Sequence, residues 1–196
     1  MRVEEQLGSG GFGTVYRGVN TRTGQLVAMK VDEDGPKSRH LYAEYQVYRM
    51  LAGTRKTCNY SLRIYFYAAG IPRVYYQGRI DKTNILIIDL LGRNLDSTIH
   101  KRVSSAALAT VARLADQMIA LVEAVHSHGV IHRDIKPKNF AMGYEASDPN
   151  IYLIDFGLVK RYVDRNGTHM KYRDGKNFTG TTSHASPNVM RGIGMA

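Results

Sequence analysis

Apolar residues in the first part of the chain gather in short runs. Thr14-Val-Tyr16 and Leu26-Val-Ala-Met29 are rich in β-branched or apolar side chains, and Thr21-Arg-Thr-Gly24 between them suits a hairpin connection. Residues 3–31 therefore read as strands, with the glycines at 8, 10, 11 and 13 forming a loop between the first two. The period then lengthens. Leu41, Tyr45, Tyr48 and Leu51 are spaced four, three and three apart and predict a helix over residues 38–51. Residues 74–76 and 85–88 read as short strands joined by a polar turn containing Gly78, Asp81 and Asn84. The longest periodic segment is 105–128, where Leu108, Val111, Leu114, Met118, Leu121, Val122 and Val125 keep one helical face apolar. Ser104 or Ser105 can cap its start, and Gly129 suits the position after its end. Val130-Ile131 and residues 151–154 are strand-like, and beyond Lys160 the chain is polar, basic and aperiodic. A β-rich half followed by a helical half predicts two lobes, with Gly92-Arg-Asn94 as the connector.

Composition narrows the classes. The chain has 196 residues, 43% of them hydrophobic and 22% charged, which suits a folded core rather than wholesale disorder. Lys+Arg is 27 and Asp+Glu is 17, a net charge of +10, so anionic partners are expected. A single cysteine, Cys58, rules out an intrachain disulfide and fits a reducing, intracellular compartment, cytoplasmic or nuclear. The first residues lack the apolar region of a secretory signal, and the apolar run 85–88 is broken by Asp89, so no membrane span is expected.

Four motifs carry chemistry. Gly8-Ser-Gly10-Gly-Phe-Gly13-Thr-Val15 is a glycine-rich loop whose backbone can approach phosphates closely. A dinucleotide-binding turn needs a helix straight after such a loop, and Thr14-Val-Tyr16 is strand sequence. Val27-Ala-Met-Lys30 ends an apolar strand on a lysine, and Glu44 sits on the packed face of the first helix, where an acid needs a partner. In His132-Arg-Asp-Ile-Lys-Pro-Lys-Asn139, Asp134 could accept a hydroxyl proton, Lys136 could neutralise a phosphoryl oxygen and Asn139 could hold a metal. In Ile154-Asp-Phe-Gly157 an apolar strand delivers Asp155 to a turn, which suits a hard oxygen ligand for Mg²⁺.

In this order the four motifs resemble the protein kinases. More narrowly, Leu90-Leu-Gly92, Asn139-Phe140, Met142-Gly143, Leu158-Val-Lys160, Lys176-Asn-Phe-Thr-Gly-Thr181 and Ser186-Pro-Asn188 are similar to the casein kinase 1 family. The resemblance implies an α+β, two-lobed protein-kinase-like fold. Residues 1–91 would form the small ATP-binding lobe, with an insertion at 55–69, and residues 92–196 a partial large lobe lacking its later helices. It also implies roles. Gly8, Gly10 and Gly13 would cover the ATP phosphates, and Val15, Ala28 and Ile154 would line the adenine pocket. Lys30 would hold the α/β-phosphates and pair with Glu44. Ile88 would lie behind the base, and the backbone at Asp89 and Leu91 would hydrogen-bond it. Asp134 would be the catalytic base with Lys136 on the γ-phosphate, a lysine that resembles the Ser/Thr kinases. Asn139 and Asp155 would bind Mg²⁺.

Several positions depart from that family. Ser183-His184 replaces the usual Arg-Tyr, whose arginine helps bind a primed phosphate, and Ala141 stands where a larger residue often floors the adenine site. The resemblance runs to Ala196, before the family's further helices, so weak or absent catalysis is the alternative expectation: a fragment that binds nucleotide or protein. Between 160 and 176 lie six cations, Lys160, Arg161, Arg165, Lys171, Arg173 and Lys176, against Asp164 and Asp174. An acidic or phosphorylated protein substrate is the expected partner. Nucleic acid is not expected, because no motif for it is present and the tyrosines are not interleaved with the late basic cluster.

Overall fold

The computed structural model describes residues 1–11, 13–32, 40–52, 70–102, 108–164 and 166–194, without the side chains of 99–102. The expected insertion at 55–69, Cys58, the start of the first helix at 38 and the Ser104 or Ser105 cap lie outside them.

Five strands make one antiparallel sheet: β1 (Arg2–Gly10), β2 (Gly13–Val19), β3 (Leu26–Asp32), β4 (Val74–Ile80) and β5 (Thr83–Asp89), in the order β1-β2-β3-β5-β4. The turn expected across 78–84 is narrower than its composition suggests. Gly78 and Asn84 belong to the strands, and only Asp81 and Lys82 turn, Asp81 at a left-handed φ of 53°. Asp tolerates that conformation, so two residues suffice.

Successive strand residues face opposite sides of a sheet. Val27, Met29, Ile85 and Ile87 cluster on one face, with Tyr16 against them. Ala28 lies opposite Ile88, Lys30 opposite Leu86, and Val15 opposite Lys30, so these five share the other face. Helix α1 (His40–Ala52) packs against that sheet through β4 and β5 and buries Leu41, Glu44, Tyr48 and Leu51, one residue per turn. Tyr45, expected on the buried face, is only half covered; Glu44 takes the inward position.

Asp89 leads through 90–94 into α2 (Leu95–Arg102), a helix the sequence pattern did not reveal. Asn94 caps it, accepting from the Ser97 N–H at 2.9 Å. The long helix α3 (Leu108–Ser127) follows and stops at Gly129, whose φ is 73°. Its apolar face is buried only toward its end: Leu121 and Val125 are covered, whereas Leu108 is 84% exposed and Val111 51%. Short strands β6 (Val130–Ile131), β7 (Phe140–Met142), β8 (Ile151–Leu153) and β9 (Lys160–Arg161) pair as β6 with β9 and β7 with β8. A four-residue helix, α4 (Pro187–Met190), lies in the otherwise irregular segment beyond β9. One buried cluster runs from Leu41, Tyr48 and Leu51 of α1 through Leu86 of β5 to Leu121, Val125, Phe140, Ile151, Leu153 and Phe156, so the sheet-and-α1 half and the α3 half share a core.

Candidate active site

The shared core brings three polar segments to one place. Lys30 follows the buried run 27–29 of β3, and its ammonium lies 2.8 Å from the Glu44 carboxylate and 2.9 Å from Asp155. Burial works against the Lys30 charge, but the Glu44 and Asp155 carboxylates outweigh it and hold its pKa above the ordinary value. Burial pushes the Glu44 carboxyl up, and Lys30 is the main influence opposing it.

Asp155 follows β8 in a left-handed conformation, φ 67° and ψ 68°. That turn drives the Phe156 ring inward, where it meets Tyr48 edge-on at 4.9 Å and His132 at 5.2 Å. His132 is buried beneath it. Its Nε2–H donates to the Ile154 carbonyl at 3.1 Å and its Nδ1 accepts the Asp134 N–H at 3.3 Å, which assigns the neutral tautomer. Burial pulls the His132 pKa down, in keeping with that assignment.

The Asp134 carboxylate is held by three side chains. Thr181 donates to its Oδ1 at 2.7 Å, while Lys136 Nζ at 2.7 Å and Asn139 Nδ2 at 3.1 Å hold its Oδ2. Lys136 also donates to Thr181 at 2.8 Å, closing a ring of contacts. Burial would raise the Asp134 pKa, but the Lys136 and Thr181 hydrogen bonds lead the group of contacts that bring it below the ordinary range. The Asn139 amide nitrogen also binds the Asp134 carbonyl at 2.8 Å, which leaves its side-chain oxygen to face elsewhere. The Ile154 N–H donates to the Asn139 carbonyl at 3.0 Å, so Asn139 and Asp155 sit on adjoining strands of backbone. Their oxygens are hard donors of the kind Mg²⁺ takes. Thr181 stands in none of the four chemistry-bearing motifs. It lies 47 residues from its partner Asp134, and only the Lys176–Thr181 resemblance pointed there.

The glycine-rich segment is not the loop expected across 8–13: Gly8 and Gly10 lie in β1 and Gly13 opens β2, paired with Gly10, and these glycines divide by cause. Gly13 has φ 112°, and a Cβ there would come within 2.2 Å of the Val31 carbonyl oxygen, so the fold requires glycine. At Gly8 and Gly10 a Cβ would meet nothing within 4 Å. Ala28 is buried and Val15 and Ile154 are half-buried. Asp89 turns its carboxylate outward to accept from the Arg73 N–H at 2.8 Å and from the Tyr75 hydroxyl. A cavity of about 550 Å³ lies beside Asp89 and Leu91, lined also by Arg73, Tyr144 and Asp148, and does not include Lys30, Asp134 or Asp155. Another, of about 260 Å³, is lined by Arg133, Lys160 and Lys176, with Val189 and Gly192. Ser183 and His184, at the departure from the family pattern, are exposed and bonded to each other at 3.0 Å.

Among the described residues no helix is long and apolar enough to cross a membrane. The family model for the protein kinase domain matches residues 1–195, nearly the whole chain. Such domains transfer phosphoryl groups to proteins using ATP and a divalent metal. With that match over nearly its whole length, the chain belongs to the protein kinase domain family.

Proposed function

We propose that the chain moves the γ-phosphoryl group of ATP to serine or threonine in acidic or already phosphorylated protein segments, in the manner of the casein kinase 1 family. In this reading residues 1–91 are the ATP-binding lobe and 92–196 carry the catalytic loop and activation segment. The observation that carries it is the Asp134 carboxylate, held by Lys136, Thr181 and Asn139 in one orientation. A carboxylate with a lowered pKa is a weak base. It serves best by orienting the substrate hydroxyl, which suits a loose phosphoryl-transfer transition state that needs positioning more than deprotonation.

The nucleotide would lie under β1 and β2. Open space at Gly8 and Gly10 is room that the fold itself does not need, and it admits a phosphate against bare backbone. Val15, Ala28, Ile88 and Ile154 would enclose the base, with the backbone of Asp89 and Leu91 pairing to it. Lys30 would take the α/β-phosphates while Glu44 holds it in place. Asn139 and Asp155 would hold Mg²⁺, which when bound shields the charge between phosphates. Lys136 stands beside Asp134, where it would meet the transferred group.

Substrate charge is read from the cavity lined by Arg133, Lys160 and Lys176. Burial, then the nearby Arg133, Arg173 and Lys176 cations, push the Lys160 pKa down, so positive charge is crowded at this cavity. An anionic group would relieve it. The arginine lost at Ser183-His184 would thus be replaced by cations from three other segments. Phosphate transfer from labelled ATP·Mg²⁺ should be measured on an acidic Ser/Thr peptide, its neutral counterpart and a tyrosine peptide. The reading expects the first to be preferred, and tyrosine labelling or indifference to acidity overturns it. The exposed Leu108 and Val111 of α3 favour a second reading, a nucleotide-binding module with weak turnover. ATP binding without peptide labelling is its signature.

A further inference from the structure

Tyr48 is 1% exposed, and its hydroxyl has no partner at full hydrogen-bonding geometry among the described residues. Phenylalanine would keep the edge-on contact with Phe156 at 4.9 Å without burying a polar oxygen. A buried hydroxyl left unpaired is destabilising, so its presence in a well-packed core calls for a role in some other arrangement of the site. Tyr48 lies one turn along α1 from Glu44, and the polar groups that bear on its hydroxyl are the Glu44 and Asp155 carboxylates and the backbone of Asp155. The Phe156 N–H bears in turn on the same Glu44 carboxylate. The hydroxyl thus stands between the helix that carries the partner of Lys30 and the turn that carries Asp155.

We infer that the Tyr48 hydroxyl is a positioning group for Asp155, donating to the Glu44 carboxylate and accepting from the Asp155 N–H once nucleotide draws α1 onto the turn. The inference rests on the nucleotide-binding reading above. A phenol has one hydrogen to give and lone pairs to receive, so it serves both neighbours at once. Site hydrogen bonds are often long or misaligned before the ligand arrives and tighten in the complex. The left-handed backbone of Asp155, φ 67°, is where such a tether has most effect, because a residue there relaxes readily unless its surroundings hold it.

The test is Tyr48→Phe in the whole chain, with melting temperature read without nucleotide and ATP affinity read by calorimetry with and without Mg²⁺. The expected result is an unchanged or higher melting temperature and nearly unchanged metal-free affinity. The gain in affinity on adding Mg²⁺ should fall by about tenfold, the effect of one hydrogen bond. In an Asp155→Asn background the same substitution should add nothing. A Tyr48→Phe protein that keeps the full Mg²⁺-dependent gain overturns the inference and leaves the nucleotide reading standing. So does one that loses melting temperature alone, which marks the hydroxyl as purely structural. An unsubstituted chain that binds no ATP in either condition overturns both.

Discussion

The Lys30 ammonium sits 2.8 Å from the Glu44 carboxylate and ties β3 to α1 through the interior. Glu44 is only 2% exposed, so its charge is sustained by Lys30 rather than by water. Lys30→Met should therefore destabilise by about 3–5 kcal/mol, the penalty for breaking a buried pair. The loss has a sign in pH. Burial already raises the folded-state pKa of Glu44 above 4.5, and removing Lys30 raises it further. A group raised in the folded state contributes its stability below its unfolded pKa and loses it as pH rises through the folded value. The variant's deficit should shrink on moving from pH 7.5 toward pH 4.5. Urea unfolding across that range checks it, and a deficit independent of pH contradicts the assignment of Glu44 as the strained partner.

Thr181 touches both Asp134 and Lys136 at 2.7 and 2.8 Å. Thr181→Val keeps the shape and removes the hydroxyl. A hydrogen bond to a charged group contributes about 1.5–3 kcal/mol, so kcat should drop on the order of tenfold to a hundredfold with little change in the KM for ATP. A rise in that KM at constant kcat would place Thr181 in nucleotide binding instead. Steady-state rates at varied ATP and fixed peptide separate the two.

The glycine loop gives a paired test. Gly13→Ala drives a Cβ to 2.2 Å from the Val31 carbonyl oxygen at a φ of 112°, so it should lower the melting temperature sharply. Gly10→Ala meets no atom within 4 Å and should leave melting unchanged. If the space at Gly10 is where phosphate approaches, that same variant should bind ATP several-fold more weakly. Thermal melting and ATP titration on both proteins decide it, and equal behaviour of the two glycines refutes the division.

These residues also show which parts of the site were legible beforehand. Lys30, Asp134, Asn139 and Asp155 were readable because each stands in a short motif, Glu44 because it falls on the packed face of α1, and the strand period places Ala28 and Lys30 on one face without long-range knowledge. Thr181 was not, because its partners lie 45 and 47 residues earlier and irregular chain has no period to project across. Helix α2 escaped because its polar sequence has no apolar stripe; its start is set by the Asn94 cap, which resembles a loop residue. Tyr48 was readable as a core aromatic, and its ring is one. Its hydroxyl acquires meaning only when the Asp155 turn is packed against α1.

The same limit applies to α3. Its seven apolar positions predicted one buried face, yet only Leu121 and Val125 are fully buried, with Leu114, Met118 and Val122 partly covered against the core. Leu108 is 84% exposed and Ile119 69%. Eleven residues apart, they fall about 20° from each other around the helix at roughly 100° per residue, so they form one stripe beside the buried one. Replacing both with serine should change unfolding free energy by no more than about 0.5 kcal/mol, as for other exposed positions. Leu121→Ala, in the buried half, should cost about 2–5 kcal/mol. An exposed apolar stripe also favours association between molecules. The double serine variant should therefore sediment more nearly as a monomer at high concentration than the unsubstituted chain. A loss of stability approaching that of Leu121→Ala, with no change in sedimentation, would mean that the stripe is covered within the chain itself.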